Sequence, residues 1–441
     1  MKSAPTLLNA RWILPMSEGS GLLEHHTVVV QGDRIHEILP SATALERYPT
    51  AERIDLGQHV LIPGLINAHT HSAMSLLRGV ADDVPLMEWL TQHIWPLEKQ
   101  WVSDDWVYQG SMLSACEALR GGVTYLNDMY FFPKATARAA IDSGIRAGVS
   151  INVIDFPTGY AANAGEYIAR GLEAYEQYKG EALLDWTSAP HAPYTVSDET
   201  FVQLRELAER LDIQMHCHIH ETQHEVDESL KQYGVRPLER LNKLGLLNER
   251  MMAVHMVHLN EAEIAMLARQ RVHLVHNPNS NLKLASGICP VTALEAAGVN
   301  TVLGTDGAAS NNRQDMFGEI RAAALLAKGS TCQATTVSAR TALEMATIRA
   351  AKAMGRGDDL GSIEVGKLAD LAAVSLDALE CRPVYNPEAQ LVYVAGREHV
   401  SDVWVGGRRV VKQREITTLD TQALLNRADQ IVGQMKAGHA S

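Results

Sequence analysis

Three stretches of this 441-residue chain gather histidines and carboxylates in spacings that suit chemistry. His69-Thr70-His71 follows the apolar run Leu61-Ile62-Pro63-Gly64-Leu65-Ile66. Side chains two apart on an extended strand share a face, so both imidazoles can address one ion. His216-Cys217-His218-Ile219-His220-Glu221 is the densest titratable cluster in the chain. Alternation predicts all three of its histidines on one face, so spacing alone does not say which is a ligand. Burying such a cluster on an apolar strand is costly unless it binds something. Asp306, in Leu303-Gly304-Thr305-Asp306-Gly307, sits where a glycine-flanked turn leaves another apolar run. Aspartate in such a place commonly caps the next helix. With three histidines at hand, it also completes a four-ligand metal set that keeps a position open for water. A divalent metal so held acidifies water, and the chemistry that follows is hydrolysis.

Positioning these residues needs a scaffold that brings distant segments to one point. The middle of the chain alternates short apolar runs with longer helical patterns, which predicts repeated βα units on a parallel sheet. Eight strand candidates are Leu61–Asn67, Val123–Asn127, Ser150–Ile154, Asp185–Ala189, Ile213–His218, Met252–His255, Val272–His276 and Thr301–Gly304. Helical patterns separate them, among them Asp104–Arg120, Thr200–Leu211, Glu261–Arg269 and Met316–Lys328. Eight parallel strands with intervening helices predict an α/β fold of the closed (β/α)₈ TIM-barrel type. Polar residues then follow the runs in register: His69 and His71, Asp128, His191, His218 and Glu221, His255, His276-Asn277, and Asp306. That is the carboxyl end of the strands, where barrel enzymes place their chemistry.

The two chain ends read differently. Thr27 to Ile35 and Asp402 to Val411 each look like paired strands, with Gly32-Asp33 and Gly406-Gly407 as turns. Together they predict a small β-sandwich domain built from residues 1–60 and 369–441 around a barrel of residues 61–368. Thr421 to Met435 carries helical spacing and is expected to close the chain.

Composition narrows the function classes. With 52 acidic and 39 basic residues the formal net charge is −13, and no Lys/Arg stripe with interleaved aromatics appears, so a nucleic-acid partner is not expected. No apolar run approaches the length of a membrane span, and the first residues lack a signal-peptide pattern. Cys116, Cys217, Cys289, Cys332 and Cys381 are scattered singly, which fits reduced thiols and a cytoplasmic protein.

The chain resembles the amidohydrolase superfamily, in its branch of adenosine-type and triazine-type deaminases. The stretches that carry the resemblance are Pro63-Gly64-Leu65-Ile66-Asn67-Ala68-His69-Thr70-His71, His218-Ile219-His220-Glu221-Thr222 and Val254-His255-Met256-Val257-His258-Leu259. His276-Asn277-Pro278-Asn279-Ser280-Asn281, Leu303-Gly304-Thr305-Asp306-Gly307 and Gly361-Ser362-Ile363-Glu364-Val365-Gly366-Lys367-Leu368-Ala369-Asp370 continue it. The family pattern selects His218 as the third metal histidine, three residues before the catalytic glutamate, and makes His255 the active-site histidine of the sixth strand. The fourth-strand segment Trp186 to His191 offers neither the lysine nor the glutamate that bridges two metals in binuclear members. The resemblance therefore implies one divalent metal, zinc, held by His69, His71, His218 and Asp306.

Within the branch, Leu76 to Asp83, Glu88-Trp89-Leu90 and Pro96-Leu97-Glu98 resemble the deaminases of 5′-methylthioadenosine and S-adenosylhomocysteine. The resemblance implies a nucleoside substrate, with Glu98 accepting the ribose hydroxyls and His191 contacting the nucleoside. It implies that Asp306 takes a proton from the attacking water and His255 orients that water. Glu221 binds the purine, protonates N1 and passes a proton to the leaving amine. A homo-oligomer, dimer or higher, is implied as well. One departure stands out. Where some S-adenosylhomocysteine deaminases carry arginines for the homocysteine carboxylate, this chain has Ile151 and Glu166, with Arg170 about one helical turn on as a substitute. The alternative reading is a triazine-type or other aromatic amine hydrolase, whose free-base substrate would give Glu98 no hydroxyls to hold.

Overall fold

A computed structural model describes residues 4–439. Its centre is an eight-stranded parallel sheet whose strands neighbour one another in chain order. They are Leu65–Thr70, Val123–Asp128, Arg146–Val153, Leu184–Pro190, Gln214–Ile219, Met251–His255, His273–His276 and Asn300–Leu303. Beyond the eighth strand, the Asp306 N–H donates to the His69 carbonyl at 3.0 Å, tying that exit back to the first strand. The barrel expected from the alternating pattern is therefore present.

Both chain ends meet in a separate nine-stranded sheet. Its seam is His59–Pro63, which pairs antiparallel with Leu371–Ser375 and parallel with Thr6–Ile13. The hairpins expected at the two ends are there, as Leu23–Gln31 with Arg34–Pro40 and Val400–Val405 with Arg408–Lys412. Eight of the nine strands form one continuous hydrogen-bonded path, the ninth, Glu52–Asp55, pairing beside Thr6–Ile13, and residues from both ends, Leu8, Val28, Leu61, Leu371 and Trp404 among them, share one buried core. Thr421–His439 is the closing helix.

Three differences from the sequence reading have local causes. The apolar run Leu61 to Asn67 serves both sheets and divides at Gly64, between His59–Pro63 and Leu65–Thr70. A Cβ at Gly64 would lie 2.1 Å from the Thr124 hydroxyl, so only glycine lets the chain pass this close to the second strand. The third strand begins at Arg146 rather than Ser150, because a charged residue opens it. Arg146 is buried against Asp370, with nitrogen–oxygen distances of 2.7 and 3.1 Å, and so joins the barrel to the end sheet. Helix Asp198–Leu211 starts two residues before the expected Thr200, since the Ser197 hydroxyl caps it and two acidic residues fill its first turn. Helix Asp104–Arg120 has the expected bounds.

All five cysteines are unpaired, four of them buried and Cys332 exposed. Among the described residues, no helix is long and apolar enough to cross a membrane.

Candidate active site

His69 and His71 leave the first strand, His218 lies on the fifth, and Asp306 follows the eighth. One ligand atom from each converges so that all four lie within 4.8 Å of one another. Asp306 Oδ1 is 3.1 Å from His69 Nε2 and 3.2 Å from His71 Nε2, and His218 Nε2 is 3.2 Å from His69 Nε2. The opposite edge of each ring is engaged. His71 Nδ1 donates to the Met129 carbonyl at 2.6 Å, and His218 Nδ1 to the His191 carbonyl at 2.9 Å. His69 Nδ1 lies 2.9 Å from His216 Nε2. Such outer bonds fix ring orientation and aim the three Nε2 atoms inward, as metal-ligating histidines require. Burial opposes ionisation of Asp306, yet the His69 and His71 imidazoles beside it hold its carboxyl well below the usual range. Three imidazoles and an ionised carboxylate suit a single zinc-type cation.

Backbone geometry holds Asp306 in place. The residue adopts a left-handed φ of 63°, and the adjoining Gly304 has no room for a side chain: a Cβ would lie 2.6 Å from Asn277 Oδ1. Asp306 Oδ2 is not free, as it accepts the Ser280 hydroxyl at 2.6 Å and the Ser310 hydroxyl at 2.9 Å.

The three histidines of the fifth strand do different things, and the expected single face fails. The strand ends at Ile219, and His220 turns left-handed with φ 55°. Its buried ring packs away from the metal set, with Nδ1 donating to the His258 carbonyl at 3.2 Å and Nε2 accepting the Leu238 N–H. His216 lies beneath His69 as its hydrogen-bond partner, which leaves His218 as the ligand of this strand.

Glu221 is 5% exposed, and burial raises its carboxyl above the usual range. Its Oε2 lies 3.7 Å from His255 Nε2. His255 Nδ1 donates to Asn281 Oδ1 at 2.8 Å, which turns the other ring nitrogen toward Glu221. Glu225, buried in the first turn of helix Gln223–Tyr233, accepts the His220 and Glu221 backbone N–H groups at 2.9 Å each and fixes where Glu221 leaves the strand.

One cavity joins these groups to His191 and Glu98. Glu98 is not a solvated helix residue: it accepts the Tyr130 hydroxyl at 2.6 Å, and burial pushes its carboxyl up to about 7. It is carried by helix Trp95–Trp101, which follows a widened turn where the Trp95 N–H bonds back to the Leu90 carbonyl. His191 Nδ1 lies 2.9 Å from the Thr195 hydroxyl, and burial together with the neighbouring His71 and His69 lowers its pKa to about 3. Leu86, Trp89, Leu90, Trp95, Phe156 and Tyr160 line much of the remaining wall.

Arg170 does not reach this cavity. Its guanidinium pairs with Glu166 at 2.6 Å and sits 5.5 Å from the Tyr160 ring, in a separate cleft with Lys134 and Glu173. Ile151 faces outward against Gly171, where a Cβ would lie 2.5 Å from its side chain. Neither Ile151 nor the substitute Arg170 therefore points at the cavity, and Glu166 does not line it. Asp128 and His276, also at strand ends, are buried outside the metal set; Asp128 accepts the Ser72 N–H at 2.7 Å. Of the supporting residues, His216 stands out in the sequence only as one of three clustered histidines, and Ser280, Asn281, Ser310 and Glu225 carry no signal of their own, although all lie in or beside the stretches that surround the ligands.

The amidohydrolase family model matches residues 60–410. The chain belongs to the amidohydrolase family. It is 45% identical over 423 residues to a 5-methylthioadenosine/S-adenosylhomocysteine deaminase of Teredinibacter turnerae, covering 96% of each chain. An adenosine deaminase from Xanthomonas campestris, solved with bound zinc, superposes with a TM-score of 0.96 at 47% identity over 99% of each chain. The atrazine chlorohydrolase of Arthrobacter aurescens TC1, complexed with zinc, has a TM-score of 0.90 at 24% identity, covering 97% of this amidohydrolase and 100% of that chain. This last likeness is one of fold.

Proposed function

We propose that this amidohydrolase removes the 6-amino group of 5′-methylthioadenosine, giving the inosine analogue and ammonia, with S-adenosylhomocysteine and adenosine as further substrates. The observation that carries the reading is one cavity lined by His71, His218 and Asp306 of the ligand set at one place and by Glu98 at another. A triazine or other free aromatic base gives the half-buried carboxylate of Glu98 no hydroxyls to bind, whereas a ribose gives it two. The relative from Teredinibacter turnerae and the structure from Xanthomonas campestris, both named as deaminases of adenine nucleosides, support the same choice.

His69, His71, His218 and Asp306 would hold one zinc ion, which supplies acidified water near neutral pH. His255, with Nδ1–H given to Asn281, accepts a water O–H at Nε2 and aims the oxygen at C6 of the purine. Asp306 accepts the proton that water loses, and the Ser280 and Ser310 hydroxyls keep its carboxylate from turning. Glu221, whose burial favours the protonated carboxyl, delivers its proton to N1 as C6 becomes tetrahedral. The ionised Glu221 then relays the C6 hydroxyl proton to the departing amine as the carbonyl forms, and the proton held by Asp306 restores Glu221. Glu98, oriented by Tyr130, accepts the ribose hydroxyls, and His191 contacts the nucleoside.

The 5′ substituent meets an apolar wall. Among the described residues lining the cavity, Lys99 alone carries a fixed positive charge, and its side chain is exposed. A methylthio group suits that wall better than the amino-acid tail of S-adenosylhomocysteine. The test is kcat/KM for both compounds with zinc-loaded protein; a preference for S-adenosylhomocysteine would overturn this order. The reading also includes a homodimer or larger assembly in solution, which sedimentation checks.

A further inference from the structure

The inward face of the third strand carries Asn152, a residue that none of the roles above uses. Alternation along Arg146–Val153 puts Gly148, Ser150 and Asn152 on the barrel's inner side. A Cβ at Gly148 would lie 2.4 Å from Asn127 Oδ1, and Ser150 Oγ accepts the Tyr130 N–H at 3.3 Å. Asn152 is 6% exposed and lines the cavity, yet its Oδ1 is buried with no hydrogen-bond partner. An unpartnered buried amide oxygen has lost its water and received no hydrogen bond in return. A protein keeps such a group where a ligand supplies the missing donor.

The position says which part of the ligand. Ser150 bonds the backbone of Tyr130, and the Tyr130 hydroxyl bonds Glu98, so Asn152 stands one inward step along the strand beyond the residue that anchors this pair. Glu221 and His255 come instead from the fifth and sixth strands, beside the metal set. Resting on the nucleoside reading above, we infer that Asn152 is a second sugar-recognition residue, its amide oxygen accepting a ribose hydroxyl beside Glu98.

The experiment compares wild type and Asn152→Leu, which keeps the branching at Cγ and removes the polar atoms, on 5′-methylthioadenosine and its 2′-deoxy and 3′-deoxy analogues. The expected result is a kcat/KM roughly 10-fold lower on the ribonucleoside, expressed mainly in KM. The loss should vanish on whichever deoxy analogue lacks the hydroxyl that Asn152 holds. Because Oδ1 has no partner in the free protein, the melting temperature of Asn152→Leu should equal or exceed that of wild type, and its zinc content should not change. The same loss on all three substrates, or no loss on any, would overturn the assignment while wild-type turnover keeps the nucleoside reading intact. Wild-type protein inert on every nucleoside would overturn both.

Discussion

Replacing Glu221 by glutamine isolates the proton transfer from everything else the site does. Glutamine keeps the size and the hydrogen-bonding edge of glutamate and loses the transferable proton. Glu221 is 5% exposed, and bulk water cannot readily substitute for it as a donor. Its carboxyl also sits outside the four-ligand set, 3.7 Å from His255 Nε2. Positioned acid–base groups contribute about 10²–10⁴-fold in rate. That range corresponds to about 2.7–5.5 kcal/mol of transition-state stabilisation. Glu221→Gln should therefore fall by that factor in kcat, with KM changed by less than about threefold, since binding contacts at Glu98 and His191 are untouched. The assay is ammonia release under saturating 5′-methylthioadenosine, with zinc content measured on the same preparation. A metal-replete Glu221→Gln protein within about tenfold of wild-type kcat would refute the argument, because the other acids lining the cavity are engaged elsewhere, Asp306 in the ligand set and Glu98 with Tyr130.

Three further outcomes follow from other parts of the molecule. Burial holds the Glu98 carboxyl at about 7, and only the ionised form has both oxygens free to accept hydroxyls, so KM for nucleosides should climb as pH falls through 7 and stay flat above it. Glu98→Gln should raise KM and flatten that dependence; an unchanged slope in the variant would assign the titration elsewhere. Asp370→Ala leaves the buried Arg146 guanidinium without its partner and should destabilise the fold by about 3–5 kcal/mol in denaturant titration, where a cost below about 1 kcal/mol would contradict the pairing as the joint between barrel and end sheet. Stripping zinc with a chelator should lower the melting temperature, and zinc at about 1,000 times its Kd should restore about 4 kcal/mol of stability. A melting temperature insensitive to zinc would argue against His69, His71, His218 and Asp306 as its ligands.

Much of this architecture can be read before any coordinates, because barrel strands are apolar and helices are amphipathic, so the two periods separate cleanly. Reading stops where one run has two jobs or a charge hides a strand. Leu61 to Asn67 is one apolar run in the sequence and two strands in space, divided by the contact between Gly64 and Thr124. Arg146 opens a strand only because Asp370, 224 residues on, neutralises it. The ligand set was legible for a similar reason: each ligand lies at or just beyond the carboxyl end of an apolar run. The supporting groups were not, since a serine at 280 or an asparagine at 281 has no special spacing and gains meaning only when the sixth, seventh and eighth strands lie side by side. The two-residue period also misleads once a strand ends, as His220 demonstrates by turning left-handed and leaving the face that His216 and His218 share. Arg170 failed as a carboxylate anchor because a closer carboxylate, Glu166, claims it one helical turn away.

The central claim is hydrolytic deamination at a single metal set, and the most direct measurement follows ammonia and product mass together. Zinc-loaded protein incubated with 5′-methylthioadenosine should release one ammonia per nucleoside consumed and yield the 5′-methylthioinosine product with the glycosidic bond intact. The chelated protein should do neither until zinc is returned. Release of free adenine, or turnover that continues undiminished in the metal-free protein, would contradict the account.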